Sequence, residues 1–168
     1  ILKIHAIDGP ESFDRVAGDF TRLFQDRSIL ISYIHSALQI KLPFIEADEF
    51  DRGLRNVLNY GHSFGHAIEA STDFAIPHGI GVTMGMDMAN FVASRLGIVD
   101  EQPYLKMHPT LAANYRGFED HPIPLQPLLN AMGRDKKNTG SGSVTVILPK
   151  QDRHVAKISI PADASFQN

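Results

Sequence analysis

The chain carries eight histidines and no cysteine, so any transition-metal site in it must be built from imidazole and carboxylate. The informative stretch is residues 55–79. It reads Arg55-Asn56-Val57-Leu58-Asn59-Tyr60-Gly61-His62-Ser63-Phe64-Gly65-His66-Ala67-Ile68-Glu69, followed by Ile76-Pro77-His78-Gly79. On a helix, Arg55, Asn59, His62 and His66 are separated by four, three and four positions and form one polar stripe. Two imidazoles one turn apart can share a divalent ion, the geometry behind the H-E-x-x-H helix. His78 follows Pro77 at a helix start, where it can bring a third imidazole into the same space. Three histidines, or two with a carboxylate from elsewhere, together with an open position make the ligand set of a catalytic zinc. Gly61 and Gly65 each cost about 1 kcal/mol in a helix, which is tolerated where something must approach the backbone closely.

The elements that must position these residues read as helices. Pro10-Glu11-Ser12 opens an amphipathic run with Phe13, Val16, Phe20, Leu23 and Phe24 at helical spacing. Residues 28–41 form a second run that Pro43 is expected to stop. Residues 51–70 predict a third helix, and 78–96 a fourth, ended by Gly97. Pro103 fits the first turn of a fifth helix reaching about Asn114, and a short helix is expected near 128–132. The period then changes: 144–148 and 155–160 are β-branched and predict a hairpin. The fold class is therefore mainly α with a small β-hairpin near the C-terminus.

Composition sets the outer limits. At 168 residues, 43% hydrophobic and 21% charged, the chain has one domain's worth of core. Its net charge of −3 argues against a generic nucleic-acid binder. The least polar stretch, 79–99, is interrupted by Asp87, Asn90 and Arg95, so it reads as a buried helix and not a membrane span. Gly140-Ser141-Gly142 precedes a strand and is a turn, not a dinucleotide fingerprint.

The pattern Arg55-x-x-Leu58-Asn59-x-Gly61-His62-Ser63-Phe64-Gly65-His66-Ala67-Ile68-Glu69 with Pro77-His78-Gly79 strongly resembles the C-terminal domain of 3-dehydroquinate synthase and its sugar-phosphate cyclase relatives. Asp48-Glu49 before Gly53-Leu54-Arg55 looks like that family's lead-in. Asp135-Lys136-Lys137 is similar to its late lysine motif. The resemblance runs from about 41 to 160. It implies that residues 1–168 form the helical metal- and substrate-binding domain of the dehydroquinate-synthase-like fold, without the N-terminal NAD-binding α/β domain. It further implies that His62 and His78 bind the metal, zinc or another divalent ion. His66 then contacts substrate without binding the metal and, with Asn59, is a catalytic position. Lys41, Arg55 and one of Lys136 and Lys137 match substrate-binding positions. The family's third ligand is the glutamate of a Glu-x-x-Lys motif; if Lys3 is its lysine, that glutamate immediately precedes Ile1.

The implied reaction converts the phosphorylated sugar acid 3-deoxy-D-arabino-heptulosonate 7-phosphate to 3-dehydroquinate with elimination of phosphate, a step of the shikimate pathway and aromatic amino acid biosynthesis. NAD takes and returns a hydride through a transient ketone that permits the elimination. The zinc acts as a Lewis acid on the substrate's hydroxyls. A cytoplasmic homodimer without nucleic-acid or membrane partners is expected of the whole enzyme. The domain alone should bind zinc weakly and not turn over. Two departures matter: Ser63 stands where threonine is common, and Ile80-Gly81-Val82 where Glu-Ala-Val is usual. They keep a synthase of 2-epi-5-epi-valiolone or 2-deoxy-scyllo-inosose in view. An iron-containing alcohol or glycerol dehydrogenase relative is disfavoured, since a simple alcohol needs no phosphate clamp. A helical interaction or metal-storage module is the non-enzymatic alternative.

Overall fold

The computed structural model describes residues 1–50, 52–134, 143–151 and 154–161. Two short helices, α1 (Leu2–Asp8) and α2 (Pro10–Asp19), lead into a 3-10 turn, Phe20–Phe24. Phe13, Val16 and Leu23 are buried as the spacing predicts, whereas Phe24 is 75% exposed. The tighter 3-10 winding carries it off the buried face. Helix α3 spans Arg27–Ala47. Its N-terminus is capped by Asp26, whose carboxylate accepts from the Ser28 amide at 2.8 Å and the Ser28 hydroxyl at 2.6 Å.

Pro43 does not end α3, contrary to the sequence expectation. The helix passes through it and stops at Asp48. Proline's fixed φ is already helical, but it forfeits one backbone bond and its ring crowds the carbonyl four residues earlier, a cost that α3 absorbs here with Pro43 on its exposed side. The core histidine His5 joins α1 to α3: its Nδ1 donates to the Ile1 carbonyl at 3.0 Å and its Nε2 accepts from the Ser36 hydroxyl at 3.2 Å. Among the described residues, α3 is the one helix long and apolar enough to cross a membrane by length and composition. Ile31, Ile34, Leu38 and Leu42 stand exposed along it.

The third expected helix is also corrected. Residues 51–70 are not one helix but a 3-10 turn, Leu54–Asn59, followed by α4, His62–Ser71. Gly61 separates them with a left-handed φ of 76°, a conformation that breaks α-helical continuation. Helix α5 (His78–Arg95) follows, then α6 (Gln102–Asn114), α7 (Leu125–Arg134) and an antiparallel hairpin of β1 (Ser143–Pro149) and β2 (Val155–Pro161). Residues 79–95 within α5 are largely buried, as expected for the least polar stretch. Asp87 on α5 anchors α6, accepting from His108 Nδ1 and the Tyr115 hydroxyl, each at 2.7 Å. The buried Tyr60 hydroxyl donates to Asn90 Oδ1 beneath α5. Strand β1 is buried from Val144 to Pro149 because α4 and α5 cover one face and β2 pairs along its edge in the register Val146↔Ile158.

The centre of the fold is the crossing of α4 and α5. A Cβ built at Gly85 would lie 2.1 Å from the Gly61 carbonyl oxygen, and one at Gly65 would lie 3.0 Å from the Gly81 oxygen. Backbone therefore packs on backbone, an approach that no larger residue permits at Gly85. Gly85→Ala should destabilise the chain by about 2–3 kcal/mol or prevent folding. Gly18→Ala, on α2 with nothing within 4 Å of the new Cβ, should leave stability unchanged or slightly raised. Urea midpoints of the two variants check the contrast.

Helix α1 brings a cation into this region. Lys3 Nζ donates to the Leu58 carbonyl at 2.6 Å. Burial, helped by the nearby Lys41 charge, pulls its pKa from 10.5 down to about 8. The unfolded chain thus holds a proton between these values that the folded chain releases, so stability rises with pH across that window and is lowest below it. At pH 7 the folded chain carries the charged form at a cost. Lys3→Met should raise the thermal midpoint at pH 7 by about 2–5 °C, and the gain should shrink as pH approaches 10, as read by melts at both values.

Candidate metal centre

The sequence places His62 and His78 at the first positions of α4 and α5, and the glycine crossing sets those two helix starts side by side. His66 follows one turn along α4. The ring centroids of His62 and His66 are 5.2 Å apart, those of His62 and His78 5.4 Å, and those of His66 and His78 5.6 Å with the rings nearly stacked. One nitrogen from each ring lies within 4.8 Å of one from each of the others. Zinc–imidazole bonds of about 2.0–2.1 Å need these nitrogens somewhat closer. Side-chain rotation supplies that, since His66 and His78 are exposed and His62 is half-buried.

Hydrogen bonding orients two of the rings. His62 Nδ1 lies 3.3 Å from the Tyr60 carbonyl oxygen. A carbonyl only accepts, so Nδ1 carries the hydrogen and Nε2 presents its lone pair. His78 Nδ1 lies 3.1 Å from Glu69 Oε1. Burial, reinforced by the Lys3 charge, holds the His62 pKa down at about 4, so this ring is neutral at physiological pH. A neutral imidazole is the form that binds a metal. Neutral nitrogens, no thiolate and space for further ligands suit a divalent ion of zinc's type.

The other site residues divide into those near this cluster and those set apart. Lys3 is close enough for its charge to act on His62, and Lys41 on α3 is close enough to act on Lys3. Arg55 and Asn59 are not on the helix of His62 and His66. They belong to the preceding 3-10 turn, so the continuous polar stripe does not exist. Arg55 is tied into the lead-in loop, its guanidinium donating to the Glu49 carbonyl at 3.0 Å. That loop is organised by Asp48, whose carboxylate accepts from the amides of Arg52, Gly53 and Arg55 at 2.9, 2.7 and 3.1 Å. These backbone donors hold the Asp48 pKa below the usual carboxylate range. Asn59 is half-buried at the end of the turn. Asp135, Lys136 and Lys137 lie outside the described residues.

Sequence spacing gave Glu69 no role, although it stands three residues after His66; the signal was its place one turn beyond a ligand pair. A cavity of about 310 Å³ lined by Phe13, Tyr60, Asn90, Lys106 and Met107 contains none of the three histidines. The cluster is instead an open surface site.

Residues 1–138 match the family described as 3-dehydroquinate synthase C-terminal. The chain is 35% identical over 155 residues to a 3-dehydroquinate synthase of Dehalococcoides mccartyi, covering 90% of this chain and 42% of that one. It is 34% identical over 161 residues to one from Sinorhizobium medicae, with 89% and 41% covered. With one from Dictyoglomus thermophilum it shares 36% over 140 residues, with 82% and 38% covered. The chain thus spans less than half the length of these curated relatives. Among solved structures, a 2-deoxy-scyllo-inosose synthase complexed with carbaglucose-6-phosphate, NAD+ and Co2+ matches with a TM-score of 0.68 at 20% identity, over 80% of this chain and 40% of that one. Another structure of a 2-deoxy-scyllo-inosose synthase matches with a TM-score of 0.66 at 19% identity, over 82% and 39%. At such identity the likeness speaks for the fold, a helical domain ending in a hairpin. With the His62–His66–His78 pattern inside the matched span, the chain belongs to the 3-dehydroquinate synthase C-terminal family.

Proposed function

We propose that the chain is the metal- and substrate-binding half of a cyclase that converts 3-deoxy-D-arabino-heptulosonate 7-phosphate to 3-dehydroquinate with loss of phosphate. The observation that carries this reading is the meeting of three imidazoles beside a half-buried cation, Lys3, in a chain that is acidic overall. His62 and His78 are the residues to hold a divalent ion, zinc by preference. Such an ion polarises a substrate oxygen when bound, and NAD, held mainly by an α/β half, supplies hydride capacity that no side chain has.

The chain's own residues then divide the work. Lys3, Lys41 and Arg55 are suited to the carboxylate and phosphate of the substrate. One of Lys136 and Lys137 is assigned to the phosphate. His66, left off the metal, takes and returns a proton at a substrate oxygen, while the Asn59 amide orients a hydroxyl. The reading includes a cytoplasmic homodimer for the whole protein, with no nucleic acid or membrane as partner. A second reading, a sister cyclase with a different cyclitol product, is favoured by Ile80-Gly81 where dehydroquinate synthases usually have Glu-Ala.

Supplied with the α/β half of a 3-dehydroquinate synthase, NAD+, Zn2+ and the heptulosonate phosphate, the chain should support phosphate release with dehydroquinate as product. Phosphate release only from another sugar phosphate would select the sister cyclase. Net NADH accumulation without phosphate would mean a dehydrogenase and overturn both. His62→Ala should lower Co2+ affinity by more than about 100-fold, the ceiling for losses caused by outer-shell changes. Unchanged metal uptake in that variant would leave a helical interaction module as the better reading.

A further inference from the structure

Glu69 is a buried carboxylate, 8% exposed, whose one ion-pair contact among the described residues is His78. Its Oε1 stands 3.1 Å from His78 Nδ1. An ionised carboxylate only accepts, so Nδ1 carries the hydrogen and the lone pair of His78 is confined to Nε2. Yet a buried carboxylate with one imidazole partner recovers little of its desolvation cost from that hydrogen bond. The pairing becomes favourable when the imidazole also bears on a cation through its other nitrogen. His78 needs the restraint: its side chain is 57% exposed, and apart from Glu69 its ring meets the His62 and His66 rings, which set no tautomer. The carboxylate itself is held firmly. It projects from the last turn of α4 toward α5, where a Cβ at Gly81 would lie 3.4 Å from Glu69 Cγ. The bare backbone of α5 at Gly81 is therefore the wall against which Glu69 rests.

We infer that Glu69 is a positioning residue: it selects the Nδ1–H tautomer of His78, aims Nε2 at the space shared with His62 and His66, and strengthens that nitrogen as a metal ligand. This rests on the metal reading proposed above. It also makes α4 the source of both the first ligand, His62, and the device that sets the second, His78, across the glycine crossing.

The test uses Co2+ as probe and 15N-labelled histidine in the metal-free chain. In the parent, the His78 ring should be protonated at Nδ1. In Glu69→Ala the tautomer preference should be lost, and Co2+ affinity should fall by about 10–100-fold, with far-ultraviolet circular dichroism unchanged. Glu69→Gln, whose amide oxygen still accepts, should keep the Nδ1–H tautomer and lose about tenfold in affinity. If both variants bind Co2+ as the parent does, the inference is overturned. If Glu69→Ala fails to fold, Glu69→Gln decides: parental affinity overturns the inference, and reduced affinity with the tautomer kept supports it. Should the parent take up no Co2+, the metal reading fails by itself. The His78 tautomer then still judges Glu69, and protonation at Nε2 in the parent would refute the positioning role.

Discussion

Backbone-on-backbone contact between α4 and α5 is the constraint on which the rest of the structure depends. With Gly61 and Gly65 on one side and Gly81 and Gly85 on the other, the two helices approach more closely than any pair with side chains at the crossing. Two consequences follow from this single distance. The starts of both helices, where His62 and His78 sit, are brought to one patch of surface. The covering layers then have a fixed platform: α7 packs on α4, α6 packs on α5, and β1 lies across both. The helix propensity sacrificed at Gly65, Gly81 and Gly85 is exchanged for a fixed relation between imidazoles from separate elements.

Charge is managed locally in a chain whose total is −3. The cations of the site region do not form a broad basic face. Lys3 arrives from α1 and Lys41 from α3, and the Lys41 charge acts on Lys3 through a partly buried space. Burial of Lys3 beside that charge disfavours the folded state while Lys3 is protonated. His62 lies within reach of the Lys3 charge, which adds to burial in holding its ring neutral. The arrangement sets a neutral ring beside an ammonium group, a local pattern that a net charge does not reveal.

Much of this was legible in the residues, and what was not has identifiable physical causes. The hairpin could be read because β-branched runs at 144–148 and 155–160 leave little else for those residues to form. Pro10 and Pro103 marked helix starts that the structure has, and the triplet of histidines emerged from spacing alone. The stripe through Arg55 and Asn59 failed because the helical period cannot report a single residue of positive φ, and Gly61 interrupts it. Pro43 misled in the other direction: its expected stop signal was overridden by a well-capped helix with room for the ring. Glu69 was hard to see because its contact with His78 and its cover by α5 depend on packing between helices, at which its place three residues after His66 only hints.

The left-handed residue at Gly61 has a consequence for how such a fold can diversify. It joins two modules at a point that is itself packed against α5, where an added Cβ would lie 2.6 Å from the Val82 carbonyl oxygen. Downstream, glycine packing fixes the backbone from which the His62 and His66 rings project. Upstream, the 54–59 turn and the Asp48-braced loop carry Arg55 and Asn59 on backbone that is not continuous with α4. Changes in that turn reach Arg55 and Asn59 without passing along α4 to the imidazoles. A joint of this kind lets the residues of the turn change independently of the histidine cluster.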